Sequence, residues 1–252
     1  MKLSIMTFTV FLQFQTTKDD MKRIGIIGGI GPESTIAYYR LLVKGFQERQ
    51  KTTDYPDIMI SSINMTEMLG YVFASNPDKL VDFIVNKIEV LEKTGVDYIA
   101  IASNTPHMVF DRIAERTHTP LISIVEETCK VIRDKKMHKV GLLGTKSTMT
   151  TGFYQRTAER YGIEIVIPST EQQDYIHSKY MSELLFNNIV PETKEQLIRI
   201  VRELEEKEYI EGLILGGTEL PLILNQADFA DLEIVDTTLI HVESILERMM
   251  ES

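Results

Sequence analysis

The chain has 252 residues, of which 43% are hydrophobic and 25% charged, so it is long enough to bury a sizeable core in one large domain or two small ones. A net charge of −10 argues against sequence-independent binding to nucleic acid, because no basic stripe is available to pair with phosphates. The single cysteine, Cys129, excludes an internal disulfide and fits a reducing cytoplasm, and the five scattered histidines predict no metal site.

Residues 1–20 form an N-terminal extension for which we predict no catalytic role. Their apolar run follows a single lysine, lacks a small-x-small cleavage site and is too short to span a membrane. The compact pattern begins at Met21, so the extension is either disordered or a mis-assigned start of translation. No other segment approaches membrane-spanning length, and we therefore expect a cytoplasmic protein with no membrane partner.

Short, β-rich apolar runs alternate with stretches of helical spacing through the first half of the chain. The predicted strands are RIGIIGG (23–29), DIMISSIN (57–64), YIAIAS (98–103) and LISIV (121–125). The predicted helices are PESTIAYYRLLVKGFQERQ (32–50), NPDKLVDFIVNKIEVLEKTG (76–95) and HMVFDRIAERTH (107–118). Strands that are apolar along their whole length and alternate with helices are typical of a parallel sheet covered on both faces.

The second half repeats this order of elements. It contains a strand and turn in KVGLLGTKS (139–147), a strand in IEIVIP (163–168), and a helix, turn, strand and polar cluster in KEQLIRIVRELEEKEYIEGLILGGTE (194–219). The stretch LEIVDTTLIH (232–241) then corresponds to TPLISIVEET (119–128). A spacing of about 115 residues is too long for a solenoid, so two similar α/β halves explain the duplication better.

The fold class that follows is α/β, with two pseudo-symmetric domains that each contain a mostly parallel sheet flanked by helices. We expect the first domain to comprise residues 21–122 together with 236–252, and the second to comprise residues 123–235. In open parallel sheets, the loops at the carboxyl ends of the strands form the ligand crevice. We therefore expect a ligand cleft between the two domains.

Two clusters of small polar residues follow buried strands at matching places in the two halves. One is Ser103-Asn104-Thr105 and the other is Thr218-Glu219. Helix capping would explain each cluster alone, but their matched positions favour a shared binding site. The glycine-rich turn Gly25–Thr35 lacks both the GxGxxG and the GK[ST] spacing, so anion binding at its helix N-terminus and tight packing both stay open.

A resemblance to the aspartate/glutamate racemase family covers Met21–Ser252. It rests on five stretches taken together, which are IGIIGGIGPESTIAYYR, SNTPH, LLGTKSTM, LILGGTELPLIL and VDTTLIH. The resemblance implies a cofactor-independent, homodimeric amino-acid racemase whose small-molecule substrate lies between two halves. Racemases of this family use a thiol on each face of the substrate's α-carbon, because one removes the α-proton and the other returns a proton to the opposite face.

The resemblance also implies the site residues. The catalytic positions are Ser103, Gly217 and Glu219, of which the first two stand where the family has its cysteines. Asn64 follows the second strand, where such proteins recognise the distal group of the substrate, and its loop contains no arginine. The substrate-binding positions are Ile30, Gly31, Asn64, Asn104, Thr105, Thr145, Thr148 and Thr218.

Loss of both thiols changes the chemistry that the site can perform. A serine hydroxyl needs an adjacent activating base, and Gly217 has no side chain, so Glu219, His107 or an ordered water would have to substitute. Three functions therefore stay open. They are a racemase acting on aspartate, glutamate or a related amino acid, a lyase or isomerase that transfers a proton on one face only, and a non-catalytic protein that binds an amino acid or dicarboxylate.

Overall fold

The computed structural model describes residues 21–251, and the predicted N-terminal extension lies outside them. The first of two sheets contains β1 (Ile24–Gly28), β2 (Ile58–Ser62), β3 (Tyr98–Ile101) and β4 (Leu121–Ile122). The second contains β5 (Lys139–Gly144), β6 (Glu164–Val166), β7 (Gly212–Gly216) and β8 (Glu233–Asp236). Paired strands in both sheets are parallel, which confirms the predicted α/β class.

The two sheets share one topology. Their strand orders are β2-β1-β3-β4 and β6-β5-β7-β8. In each sheet the strand that comes first in sequence lies between the second and the third. Thus Ile24 of β1 is paired with Ile58 and Tyr98, and Val140 of β5 is paired with Ile165 and Gly212. This repeated order agrees with the duplication that the sequence predicts.

Helices cover the sheets. Before β5 they are α1 (Pro32–Gln50), α2 (Met65–Phe73), α3 (Pro77–Glu92), α4 (Phe110–Ala114) and α5 (Ile124–Asp134). After β5 they are α6 (Lys146–Thr150), α7 (Phe153–Glu159), α8 (Thr170–Ser182), α9 (Pro191–Glu208) and α10 (Thr237–Met249). No helix within residues 21–251 is long and apolar enough to cross a bilayer.

Local sequence signals set the ends of the long helices. Proline occupies the first helical position of α1, α3 and α9, where its missing N–H costs no hydrogen bond. Asn76 caps α3 by accepting a hydrogen bond from the backbone N–H of Lys79 at 3.1 Å. Gly95 follows α3 with a φ of +74°, a left-handed conformation that glycine adopts without steric cost. These signals fix where each helix begins and where the chain turns towards the next strand.

Two predicted elements in the first half of the chain are less than half their predicted length. The stretch 107–118 contains only one turn of α-helix, α4, and Thr105–Val109 before it forms a 3₁₀ turn. The predicted strand 121–125 ends at Ile122 because Ser123 caps α5, accepting a hydrogen bond from the backbone N–H of Glu126 at 3.3 Å. In both places a polar side chain or a proline at the strand end competes with the regular element.

Helix α10 follows the second sheet in sequence but packs on α1 of the first half as well as on α5. Its Val242, Ile245 and Leu246 lie in one apolar cluster with residues of α1 and β1. The ring of His241 also reaches this half, because its Nδ1 lies 2.8 Å from the hydroxyl of Tyr38. The core of the first half is therefore completed by residues that come more than one hundred positions later.

Candidate active site

Hydroxyl groups from both halves meet at the carboxyl ends of β3 and β5. The Thr105 Oγ1 lies 3.2 Å from Thr145 Oγ1 and 3.4 Å from Thr148 Oγ1. Thr145 caps α6, since its Oγ1 accepts a hydrogen bond from the backbone N–H of Thr148 at 3.2 Å. The structure thus brings three of the predicted binding residues into one small polar cluster, which could orient a charged ligand head group.

Asn104 ties the same loop to the second sheet. Its Oδ1 accepts a hydrogen bond from the Tyr154 hydroxyl at 2.5 Å, and its Nδ2 donates to Thr237 Oγ1 at 3.2 Å. Thr237 Oγ1 in turn donates to the carbonyl of Leu215 in β7 at 2.9 Å. These side chains are buried, so the carboxamide of Asn104 is a structural link between the halves as well as a predicted binding group.

His107 does not act as a base for the hydroxyl of Ser103. The Nδ1 of His107 lies 2.9 Å from the backbone carbonyl of Ser103, so this nitrogen carries the proton and donates it. Its Nε2 is buried without a hydrogen-bond partner, and burial lowers the pKa of the ring to about 3. His107 is therefore a neutral hydrogen-bond donor to the backbone, and neither ring nitrogen activates the serine.

Gly217 lies against the hydroxyl end of the aromatic ring of Tyr180, a residue of α8. A Cβ placed on Gly217 would be 2.5 Å from Tyr180 Cε2 and 2.9 Å from its hydroxyl oxygen. Tyr180 is 5% exposed and belongs to the core of the second half. The phenol therefore occupies the space in which a side chain at position 217 would begin.

Glu219 is buried and accepts two hydrogen bonds through one oxygen. The donors to Oε2 are the Tyr180 hydroxyl and, at 2.9 Å, Thr218 Oγ1. The other oxygen, Oε1, has no hydrogen-bond partner and faces Gly31, whose Cβ position would be 2.7 Å from it. Burial raises the pKa of Glu219 above its ordinary value, although the two donors oppose this shift. A proton can thus reside on this carboxyl group nearer to neutral pH.

The glycine-rich turn approaches Glu219 from the first half. Gly31 is the N-cap residue of α1, and Ile30 before it is buried in the core of the first half. Asn64 is exposed and caps α2, accepting hydrogen bonds from the backbone N–H groups of Thr66 and Glu67 at 3.0 and 3.3 Å. Its oxygen is engaged in this cap, and its amide nitrogen is the group left to approach a ligand.

Cys129 belongs to the apolar core that contains Tyr154 and makes no hydrogen bond to the polar residues of the site. It is a fully buried member of the apolar core beneath α5, and burial raises the pKa of its thiol to about 12. Within residues 21–251 no group of three potential ligands is arranged for a metal ion. The thiol is therefore an inert core side chain and does not supply the missing sulfur of the site.

Sequence reasoning did not find Tyr180, Tyr154 or Thr237. Tyr180 lies in the segment between the second strand and the long helix of the second half, for which no element was predicted. Its only signal was helical spacing with Gln173 and Ile176, which predicts burial but no chemistry. Contact with residue 217 arises only from the tertiary fold.

We expect Gly217→Cys to lower the free energy of unfolding by about 1–3 kcal/mol, because the added atoms collide with the buried ring of Tyr180. In a protein that already has Tyr180→Ala, adding Gly217→Cys should cost no further stability, because the ring that it would collide with is gone. Gly70→Cys in α2 is the matched control, since no atom lies within 4 Å of its Cβ position. Denaturant unfolding measures all four variants. A Gly217→Cys protein as stable as Gly70→Cys would contradict the observed packing.

Comparisons with known proteins agree with this architecture. A model of the Asp/Glu/hydantoin racemase family matches residues 27–245. The broad specificity amino-acid racemase RacX of Bacillus subtilis (strain 168) is 33% identical over 156 residues, which are 60% of this chain and 66%, just under two thirds, of RacX. A glutamate racemase of Aquifex pyrophilus is 26% identical over 195 residues, 73% of this chain and 70% of that protein. The solved structure of an aspartate racemase homologue from Pyrococcus horikoshii OT3 is 38% identical, with a TM-score of 0.77 over 92% of this chain and 100% of that chain.

Proposed function

The chain belongs to the Asp/Glu/hydantoin racemase family, and from that premise we propose that it is an amino-acid isomerase that transfers the α-proton of a substrate held between its two halves. One observation carries the proposal. Threonine hydroxyls at the strand ends of both halves meet in one partly buried cluster, and the buried carboxyl group of Glu219, which follows β7 and faces Gly31 of the first half, has a raised pKa. Such a pairing of a polar cradle with a perturbed titratable group is typical of an active site.

In the proposed complex, the substrate's charged head group lies among the hydroxyls of Thr105, Thr145 and Thr148 and the N-terminus of α1 at Gly31. Ile30, Thr218 and Asn104 would complete the cradle. Hydroxyls and helix N-termini suit a carboxylate because both present hydrogen-bond donors to it. Glu219 would hold the proton in transit, since a general acid–base group works best when its pKa lies near the operating pH.

The substrate class is proposed from the relatives. Their names describe racemases of glutamate, of aspartate or of several amino acids, so we propose aspartate, glutamate or a related amino acid. Asn64 follows β2 and would approach the substrate's distal group through its amide nitrogen. The loop offers an amide N–H donor but no arginine. This favours a substrate whose distal group accepts a hydrogen bond and does not need a cation to neutralise its charge.

A reaction on one face of the α-carbon is the second candidate. It is favoured by the surroundings of Ser103, because His107 contacts the serine's carbonyl and leaves its hydroxyl without that base. Since a hydroxyl without a base is a poor proton acceptor, the Ser103 face would move protons more slowly than the Glu219 face. Ser103 would then act as a hydrogen-bond donor to the substrate, and the α-proton would be exchanged without inversion of the α-carbon.

We further propose that the protein needs no cofactor, forms a homodimer and works in the cytoplasm. The family resemblance supports the first two properties, and the single buried thiol suits a reducing compartment. We also propose a division into 21–122 with 236–252 and 123–235, which the packing of α10 against the first half supports.

The purified protein should catalyse exchange of the α-proton when it is incubated in D₂O with the L or D enantiomer of aspartate or glutamate. NMR measures exchange, and chiral chromatography measures inversion. Exchange with inversion supports two-face racemisation, and exchange without inversion supports the one-face reaction.

Glu219→Gln should lower the exchange rate by about 10²-fold or more, because an amide cannot accept the proton. The exposed Glu171→Gln is the matched control and should keep the wild-type rate. Saturable binding without exchange would contradict the proposed catalysis and leave a binding protein.

A further inference from the structure

We propose that Tyr180 is the acid–base group that contacts the substrate's α-carbon on the Gly217 face, with Glu219 acting through it; this inference rests on the proposed function. The phenol hydroxyl lies 2.9 Å from the point where a Cβ on Gly217 would stand, and it donates a hydrogen bond to Glu219 Oε2. The phenol of a residue on a distant helix therefore takes up the space in which a side chain at position 217 would begin, with its hydroxyl beside that point.

Glycine at position 217 is what admits the phenol. Any side chain there would begin 2.5 Å from Tyr180 Cε2 and would displace the ring. The ring itself is held by the second-half core, in which Ile176 and Leu184 of the same stretch are also buried. The phenol can therefore hold its position only because residue 217 has no side chain.

Tyr180 cannot act as a base alone. The ordinary pKa of a phenol is about 10, and burial together with the neighbouring Glu219 carboxylate raises the pKa of Tyr180 well above that value. A phenolate would therefore be rare at neutral pH. Glu219 removes this difficulty because its Oε2 already accepts the phenolic proton in a hydrogen bond.

The proton transfer balances within the pair. The substrate's Cα–H bond breaks, and its electron pair stays on Cα, delocalised into the substrate's carboxylate. The proton forms a new O–H bond to Tyr180, while the original phenolic proton moves to Glu219 Oε2. The pair thus changes from phenol and carboxylate to phenol and carboxylic acid, and the reverse path returns a proton to Cα. No oxidant, metal or second substrate is consumed.

A purely structural role would not explain the charge arrangement. Glu219 is 1% exposed, and no lysine, arginine or histidine within residues 21–251 forms an ion pair with it. Its Oε1 is also left without a hydrogen-bond partner. A buried carboxyl group without a cation is costly to fold, and such costs are concentrated at functional sites.

The test compares Tyr180→Phe with the wild-type protein in the D₂O exchange assay with aspartate and glutamate. Phenylalanine keeps the ring in place and removes only the hydroxyl. We expect the exchange rate at saturating substrate to fall by about 10²-fold or more, with little change in KM. Tyr175→Phe, on the same helix, is the matched control and should exchange at the wild-type rate. A Tyr180→Phe protein that exchanges at the wild-type rate overturns the inference.

A second comparison tests whether the two groups act as one unit. The double variant Tyr180→Phe/Glu219→Gln should lose no more activity than the more impaired single variant, because each substitution alone already breaks the same proton path. Additive losses overturn the inference. If Glu219→Gln abolishes exchange but Tyr180→Phe does not, the proposed function stands and Glu219 acts directly. Absence of exchange in the wild-type protein overturns both.

Incorporation of difluorotyrosine at position 180 covers the case in which the phenylalanine variant fails to fold. This residue keeps the hydroxyl and the shape of the ring but lowers the pKa of the phenol. We expect the pH profile of the exchange rate to shift towards lower pH. An unchanged profile overturns the inference, since a hydroxyl that only supports packing would not affect it.

Discussion

The buried histidines should stabilise the fold by several kcal/mol at pH 7, and we expect this contribution to the free energy of unfolding to be lost as the pH is lowered to 4. His241 is fully buried, its Nε2 lies 2.9 Å from the carbonyl of Ile122, and its Nδ1 accepts from Tyr38. The contact with Tyr38 requires an unprotonated Nδ1 and therefore the neutral ring, and burial lowers the pKa of His241 to about 4. The unfolded chain takes up the proton at about 6.5, so this stability is present above pH 6.5 and is lost as the pH falls towards 4, on the order of 3 kcal/mol.

His107 acts in the same direction, because burial lowers the pKa of its ring to about 3. Glu219 and Asp236 act in the opposite direction, since burial raises the pKa of both carboxyl groups and their contribution grows as the pH falls. The histidine term is therefore isolated by comparing His241→Gln with the wild-type protein at each pH. The variant is less stable at pH 7, and we expect the difference to shrink towards pH 4.

Urea unfolding at pH 7, 5.5 and 4 measures this difference. Replacing the exposed His118 by Gln is the control for loss of one histidine and should leave the slope of stability against pH unchanged. Parallel curves for His241→Gln and the wild-type protein would show that the buried ring does not set the pH dependence.

Asn104→Ala is expected to lower the free energy of unfolding by about 2–4 kcal/mol. It leaves the hydroxyl of Tyr154 buried without an acceptor and removes the donor to Thr237. Loss of this link should also impair catalysis, because Asn104 positions the loop that carries Ser103 and Thr105. Chemical denaturation and the D₂O exchange assay measure the two effects.

A double-mutant cycle sharpens this prediction. Tyr154→Phe removes the hydroxyl that Asn104→Ala strands, so the double variant should lose about 1–2 kcal/mol less than the sum of the single variants. Asn64→Ala is the control for loss of a capping carboxamide at an exposed position and should cost about 1 kcal/mol. Equal costs at positions 64 and 104 would contradict the buried link.

The duplicated order of strands was predictable because parallel strands are apolar on both faces. β1 and β7 are buried at every residue, and such continuous apolar runs are visible without any knowledge of tertiary structure. The long helices α1 and α3 were predictable for a similar reason, since proline and asparagine mark their starts. These signals lie within a few residues of the elements that they define.

The site was predictable only in part. The loops at Ser103 and Thr218 could be found because a strand-end rule connects sequence to position. Tyr180 could not, because its role depends on a contact with a residue thirty-seven positions later and on the absence of a side chain there. Helix α2 was missed as well, since its weak spacing follows a strand directly and its N-cap, Asn64, was interpreted as a binding residue.

The position of α10 affects how the chain folds during translation. Tyr38, Leu42 and Phe46 leave the ribosome early, yet the apolar surface that covers them is supplied by Val242, Ile245 and Leu246. Until residues 237–249 emerge, the nascent first half must keep that surface open to water or to a chaperone. Native closure of the first half therefore waits for the synthesis of α10, and the order of translation does not match the order in which this core is completed.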